Sequence, residues 1–251
     1  MEPYALPAQA YAAGLVFLRV GALVMLIPGI GDQAVPPRIR LSFALLTALC
    51  LGPIAASALP PLPATIGGMA GQALQELIVG LLLGGLLRLF LSSLSVAGEV
   101  VALQTTLGFA QTANPLQAQP STALASFLSL MGVVLIFSTG LHHLFIGAIA
   151  RSYTLFAPAK HVMIGDAATL AVQTVGNCFA LGIQMAAPVI VFSLVFNLAT
   201  GLVGRVMPQF QIFFVSAPLQ ILLGLSIFAM TLGAMGLVWL QRYESYLRVF
   251  N

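Results

Sequence analysis

The run MAGQALQELIVGLLLGGLLRLFLSSLSVAGEVVAL, from Met69 to Leu103, decides the fold. It is apolar almost throughout, and its charges, Glu76, Arg88 and Glu99, fall at intervals along it rather than at its ends. A membrane β-strand needs only about 9–11 residues, so a run of this length reads as a helix. Drawn straight it extends about 50 Å at 1.5 Å per residue, against a hydrocarbon core of about 30 Å. It therefore bends, tilts strongly, or projects beyond the bilayer. Arg88 and Glu99, eleven residues apart, lie about 20° apart around a helix and about 16 Å apart along it, so they share a face without touching.

Working outward, further apolar blocks cover Ala10–Ile27, Leu41–Leu59, Ala123–Ala150, Ala167–Phe196 and Ile212–Leu240. Between them stand Pro28-Gly29-Ile30-Gly31 with Pro36-Pro37, the stretch Pro60-Pro61-Leu62-Pro63, Asn114-Pro115, Ala157-Pro158 and Met207-Pro208. Proline lacks the backbone N–H and crowds the preceding turn, so helices end at such sites. Composition agrees: 60% of the residues are hydrophobic and 6% charged, whereas soluble domains carry about 25% charged residues. With no water available, each backbone polar group needs an internal partner. The expectation is an all-α integral membrane protein of about six long, partly kinked helices, packed as one polytopic domain over residues 1–251.

Composition also excludes several function classes. The formal charge is +3, but the nine basic residues are scattered singly, so no nucleic-acid surface is expected. Cys50 and Cys178 lie in apolar stretches without a CxxC or Cys/His grouping, so neither a disulfide frame nor a metal site is expected. No nucleophile elbow, phosphate-binding glycine loop or zinc spacing occurs. No catalytic residues, cofactor or metal are expected. His142-His143 point about 100° apart on a helix with no carboxylate within two turns, which favours hydrogen-bonded helix-interface histidines over a proton relay. No Lys or Arg precedes the first apolar block, so that block is expected to remain rather than to be cleaved as a signal peptide.

Three features are candidates for function. Glu76, Gly80, Gly84 and Arg88 form an i, i+4 ridge in which Gly80-x-x-x-Gly84 allows another helix backbone to approach closely, within this chain or from another subunit. The segment from Gly108, Phe109, Ala110, Gln111, Thr112, Ala113, Asn114 and Pro115 to Thr122 is polar and flexible but carries no formal charge. It fits either a simple connector or non-helical backbone inside an assembly or along a water-filled passage. Finally, Pro188 and Pro218 sit inside apolar runs joined by a polar, glycine-containing connection from Asn197 through Gly201 to Pro208 and Gln209. That pattern gives a kinked hairpin wrapping its neighbours, or the broken helices of a transporter.

Orientation resists the usual charge rule. Arg38 and Arg40 mark a cytoplasmic loop and the uncharged Pro60–Gly68 loop an external one, which puts the N-terminus outside. Six alternating spans then leave Arg151, Lys160, Arg242 and Arg248 outside, against the same rule. Either one block does not span, or the chain sits in the membrane unconventionally.

Pro28-Gly29 through Pro36-Pro37-Arg38-Ile39-Arg40, then Glu76-Leu77-Ile78-Val79-Gly80, resemble the opening of the FliR family of type III export-gate subunits. The likeness continues in Gln104-Thr105-Thr106-Leu107-Gly108-Phe109-Ala110 and Asn114-Pro115. It ends with Asn197-Leu198, Gly201, Arg205, Met207-Pro208-Gln209 and Ile212-Phe213-Phe214 leading to Pro218, so it covers nearly the whole chain. The resemblance implies a non-enzymatic subunit at the flagellar basal body in the bacterial inner membrane. One copy would assemble there with several FliP-like and FliQ-like subunits, in contact with lipid, into a helical gate through which unfolded flagellar proteins pass. It implies that Gly108–Pro115 belongs to a plug at the constriction, beside a methionine-rich ring from the FliP-like subunits. Here Asn114 stands where the family usually has an acid, and Thr112-Ala113 where aromatic residues are common, leaving Phe109 as the principal apolar stopper. Such assemblies rise out of the membrane plane, which would account for the orientation conflict. An injectisome subunit of the same family shares every physical argument above, and a solitary transporter remains the reading from another class.

Overall fold

The computed structural model describes residues 5–32, 34–55, 59–108, 122–158, 164–207, 209 and 211–248. Regular structure among them is entirely helical: α1 (Ala5–Val24), α2 (Pro37–Ala55), α3 (Ile66–Gln104), α4 (Ala123–Ser138), α5 (His142–Leu155), α6 (Ile164–Val206) and α7 (Ile212–Arg248). Local sequence accounts for the boundaries. Pro37 opens α2, where its missing N–H has no intrahelical partner to lose. Gly29 (φ 83°) lies in the turn after α1, and its N–H donates to Asp32 Oδ2 at 3.0 Å.

The decisive run is one continuous helix of 39 residues, α3, about 58 Å long at 1.5 Å per residue. α6, with 43 residues, and α7, with 37, likewise exceed a bilayer core of about 30 Å. Among the described residues five helices are long and apolar enough to cross a membrane, and six if α4 and α5 are counted as one bent span.

The structure departs from the sequence expectation in three places. The fourth block is not continuous: Gly140 takes φ 74°, the left-handed conformation that ends helices and that glycine adopts without penalty. The fifth block does not stop near Phe196 but runs to Val206, so most of the expected Asn197–Gln209 connection is helix. Glycine within a helix costs about 1 kcal/mol, less than leaving several backbone groups unpaired in an apolar medium. Arg38 and Arg40 lie in α2 rather than in the loop before it.

The chain divides into two compact units, Met1–Phe90 with Thr139–Val175 and Glu244–Asn251, and Leu91–Ser138 with Gly176–Tyr243. In the first, α1 packs on α2, and Leu15, Val20, Val79, Leu83, Phe145 and Ile149 form much of the core. In the second, Leu94, Val101, Leu128, Met185, Phe228 and Trp239 do so. Large apolar side chains also face outward, among them Ile66 (86% exposed), Met230 (85%) and Val206 (80%). Apolar exposure on this scale suits lipid or neighbouring subunits rather than water.

Candidate functional site

Within the first unit, Gln72, Glu76, Gly80, Gly84 and Arg88 recur every four residues of α3, and each of them meets α1 or the turn that follows it. Tyr11 Oη donates to Gln72 Oε1 at 2.8 Å. A Cβ on Gly80 would strike the Arg19 carbonyl and stand 2.8 Å from Ala22 Cβ. One on Gly84 would stand 2.8 Å from Leu26 Cβ and 3.0 Å from the Leu23 carbonyl. Only glycine admits such approach, so here the small-residue ridge receives a helix of the same chain. The partners ascend together along both helices, so α1 and α3 run parallel.

At the centre of this seam lies Arg19, 1% exposed, against Glu76, also 1% exposed. Arg19 Nε donates to Glu76 Oε2 at 2.5 Å and Nη2 to Oε1 at 3.0 Å. The remaining guanidinium donors reach α5 and the residue after it: Nη1 donates to the Ser152 carbonyl at 3.0 Å and Nη2 to the Phe156 carbonyl at 3.0 Å. The guanidinium also stands 4.2 Å from the Tyr153 ring centre, a cation–π distance. A buried charge is tolerated where it is paired and its donors are occupied, and the planar fork of Arg suits that two-pronged geometry. At the end of the seam, Arg88 Nη2 lies 3.8 Å from Asp32 Oδ1, both side chains being substantially exposed.

The second unit holds the stem of the neutral segment. Gly98 of α3 lies against the backbone of Leu124 and Ala125 at the start of α4. Ser95 Oγ and Ser129 Oγ are 2.7 Å apart, and Gly132 faces Leu94 and Leu91. These pairings descend on α3 as they ascend on α4, so the two helices are antiparallel. Glu99 Oε1 accepts the Thr122 N–H at 2.8 Å, and Thr122 Oγ1 accepts the Ala125 N–H at 3.2 Å, capping α4. On the outgoing side, Gln220 of α7 donates through Nε2 to the Gln104 carbonyl at 2.9 Å. It also approaches Ser193 Oγ of α6 at 3.4 Å. Thr105 is fully buried and faces Gly224 of α7. Deeper in the unit, Trp239 Nε1 donates to Ser93 Oγ at 3.1 Å.

The other candidates fall as follows. Gly108 is buried, and a Cβ there would stand 3.3 Å from Leu103 Cδ2. Phe109, Ala110, Gln111, Thr112, Ala113, Asn114 and Pro115 lie outside the described residues, as does Pro208. Asn197, Gly201 and Gln209 are exposed and belong to the second unit; the Asn197 amide donates to Ser193 Oγ at 3.3 Å. Phe196, Val203, Met207, Ile212, Val215 and Leu219 of α6, α7 and the intervening turn line a mostly apolar cleft of about 350 Å³. The His142 and His143 rings lie 4.1 Å apart. Among the described residues no three His, Cys, Asp or Glu side chains gather as a metal site.

Sequence reading passed over Arg19 and Gln220. For Arg19 a signal exists: a lone arginine inside the first apolar block is expensive and requires a named partner. The carboxylate that answers it lies 57 positions away, a distance no local pattern bridges.

These helices and buried polar joints define a multi-span, all-helical membrane protein. A family model described as bacterial export proteins, family 1, matches residues 10–246. The flagellar biosynthetic protein FliR of Caulobacter vibrioides is 56% identical over the full length of both chains. FliR of Aquifex aeolicus is 28% identical, covering 94% of this chain and 91% of its own. FliR of Escherichia coli is also 28% identical, over 84% of this chain and 80% of its own. The chain belongs to this family of bacterial export proteins, among its flagellar FliR members.

Proposed function

We propose that this chain is a non-enzymatic subunit of the flagellar type III export gate in the bacterial inner membrane. With FliP-like and FliQ-like subunits it forms the conduit for unfolded flagellar proteins, and the segment that begins at Gly108 closes that conduit at rest. The observation that carries this reading is the pairing of composition with anchorage. Residues 109–121 hold amides and hydroxyls but no formal charge, and they are flanked on both sides by tightly packed, hydrogen-bonded helix ends. A neutral insert of this kind suits a closure that blocks ions without holding a charge in the passage. The exposed apolar faces of α3, α6 and α7 are then covered by partner subunits and lipid.

Gly108→Arg tests the closure. Its Cβ would stand 3.3 Å from Leu103 Cδ2 and 3.5 Å from the Ala102 backbone, and its guanidinium adds a cation next to the neutral segment. The expected result is loss of motility or a resting ion leak, with the protein still recovered in its complex. Motility, secretion and conductance all equal to wild type would remove the closure role.

A further inference from the structure

We infer that the turn after α1 binds the headgroup of an anionic phospholipid, held by Arg38, Arg40 and Arg88, with the acyl chains lying along exposed apolar stripes of α2 and α3 that end there.

Arg40 Nη1 donates to the Gly31 carbonyl at 3.3 Å, and Arg88 Nη2 lies 3.8 Å from Asp32 Oδ1, so both guanidinium groups stand at this turn. Arg38 precedes Arg40 in the first turn of α2 and is exposed. Among the described residues Asp32 is the one carboxylate paired with any of the three, and its other oxygen already accepts the Gly29 N–H. A pair this long between half-exposed side chains offsets little of the surplus positive charge. On α3, Leu74, Ile78 and Leu81 are exposed and fall on one helix face with Gly85 and Arg88, at spacings of three and four residues. A Cβ on Gly85 would meet nothing within 4 Å, so the stripe is shallow directly before Arg88. From Leu89 to Ala102 every residue is buried or half-buried, so the outward apolar stripe stops at the arginine. On α2, Arg38 likewise shares a face with exposed Leu45 and Leu49. From Ile66 to Arg88, α3 extends about 33 Å, and α2 extends about 28 Å, at 1.5 Å per residue, each close to a hydrocarbon core of about 30 Å. Two apolar stripes of bilayer length that end in charges of one sign complement a lipid with an anionic headgroup. Arginine carries its head to the interface while its stem stays among apolar groups, its planar fork takes a phosphate through two bonds, and basic clusters at the cytoplasmic face attract anionic lipid.

Photolabelling in a defined bilayer tests the inference. The full chain, purified with whatever subunits accompany it, is placed in nanodiscs of equal parts phosphatidylglycerol and phosphatidylcholine. Either lipid in turn carries a photoreactive acyl chain, and the labelled residues are located by mass spectrometry. Phosphatidylglycerol should label α2 around Leu45 and Leu49 and α3 around Ile78 and Leu81 several times more than phosphatidylcholine does. Arg38→Gln and Arg88→Gln should each lower that labelling about fivefold, corresponding to about 1 kcal/mol per cation, while labelling by phosphatidylcholine stays unchanged. Arg88→Lys keeps the charge and should retain most of the preference. Equal labelling by the two lipids in the unsubstituted protein would mean lipid contact without headgroup selection and would overturn the inference. Labelling by neither would assign this face to another subunit, with the same consequence. A phosphatidylglycerol preference that survives in the Arg38→Gln, Arg88→Gln double variant would also overturn it. If the substituted chains are not recovered, the comparison of the two lipids on the unsubstituted protein decides alone.

Discussion

In the first unit α3 meets α1 through an ion pair sealed from solvent, whereas in the second the same helix meets α4 and α7 through serine, threonine and glutamine and through a single carboxylate, Glu99, on a backbone N–H. The glycines are used alike in both: Gly80 and Gly84 admit α1, and Gly98, Gly132 and Gly182 admit close neighbours in the second unit. The polar chemistry differs. Arg19 and Glu76 stabilise the structure only together, because either one alone is a buried charge without compensation. The contacts Ser95–Ser129, Trp239–Ser93 and Gln220–Gln104 are each small and separable, since such contacts between membrane helices average about 0.6 kcal/mol. The first unit is thus built as an all-or-none joint, and the unit that carries the neutral segment is built from contacts that loosen one at a time.

The largest expected effect breaks the joint. Glu76→Leu or Arg19→Leu alone should destabilise the detergent-solubilised protein by about 3–5 kcal/mol, while the double leucine variant should recover most of that loss. Thermal unfolding in detergent measures all three, and equal losses in single and double variants would mean that the charges are not coupled. Next in size, Gly80→Leu with Gly84→Leu should cost about 1–3 kcal/mol per site through overpacking against α1. Normal recovery of the assembled complex with both leucines present would contradict the close approach. In the second unit, Ser95→Ala should cost about 0.6 kcal/mol, sharpening the contrast with Glu76. Smallest of all, Arg88→Gln should change stability by no more than about 0.5 kcal/mol, because its partner Asp32 is 3.8 Å away and both side chains are substantially exposed.

Much of the fold is legible in the sequence because apolar length and proline placement report directly on helices in an apolar solvent. The Met69–Leu103 run gives α3 nearly to its ends. The ridge of Glu76, Gly80, Gly84 and Arg88 is equally plain, being a local i, i+4 pattern, although α1 becomes its partner only in three dimensions. What escapes is non-local or rests on a single backbone angle. Arg19 finds Glu76 across 57 positions, and Gln220 finds Gln104 across 116. The break at Gly140 depends on one positive φ that an abundance of 24 glycines conceals. The continuation of α6 through Thr200, Gly201 and Gly204 runs against local propensity, because backbone hydrogen bonding in an apolar medium outweighs it.

Purifying the tagged protein from native membranes in mild detergent, and identifying what accompanies it, tests whether this chain is one part of a shared conduit. A single large complex containing FliP-like and FliQ-like subunits is expected. A monodisperse lone protein, active in moving a small solute when reconstituted by itself, would contradict it.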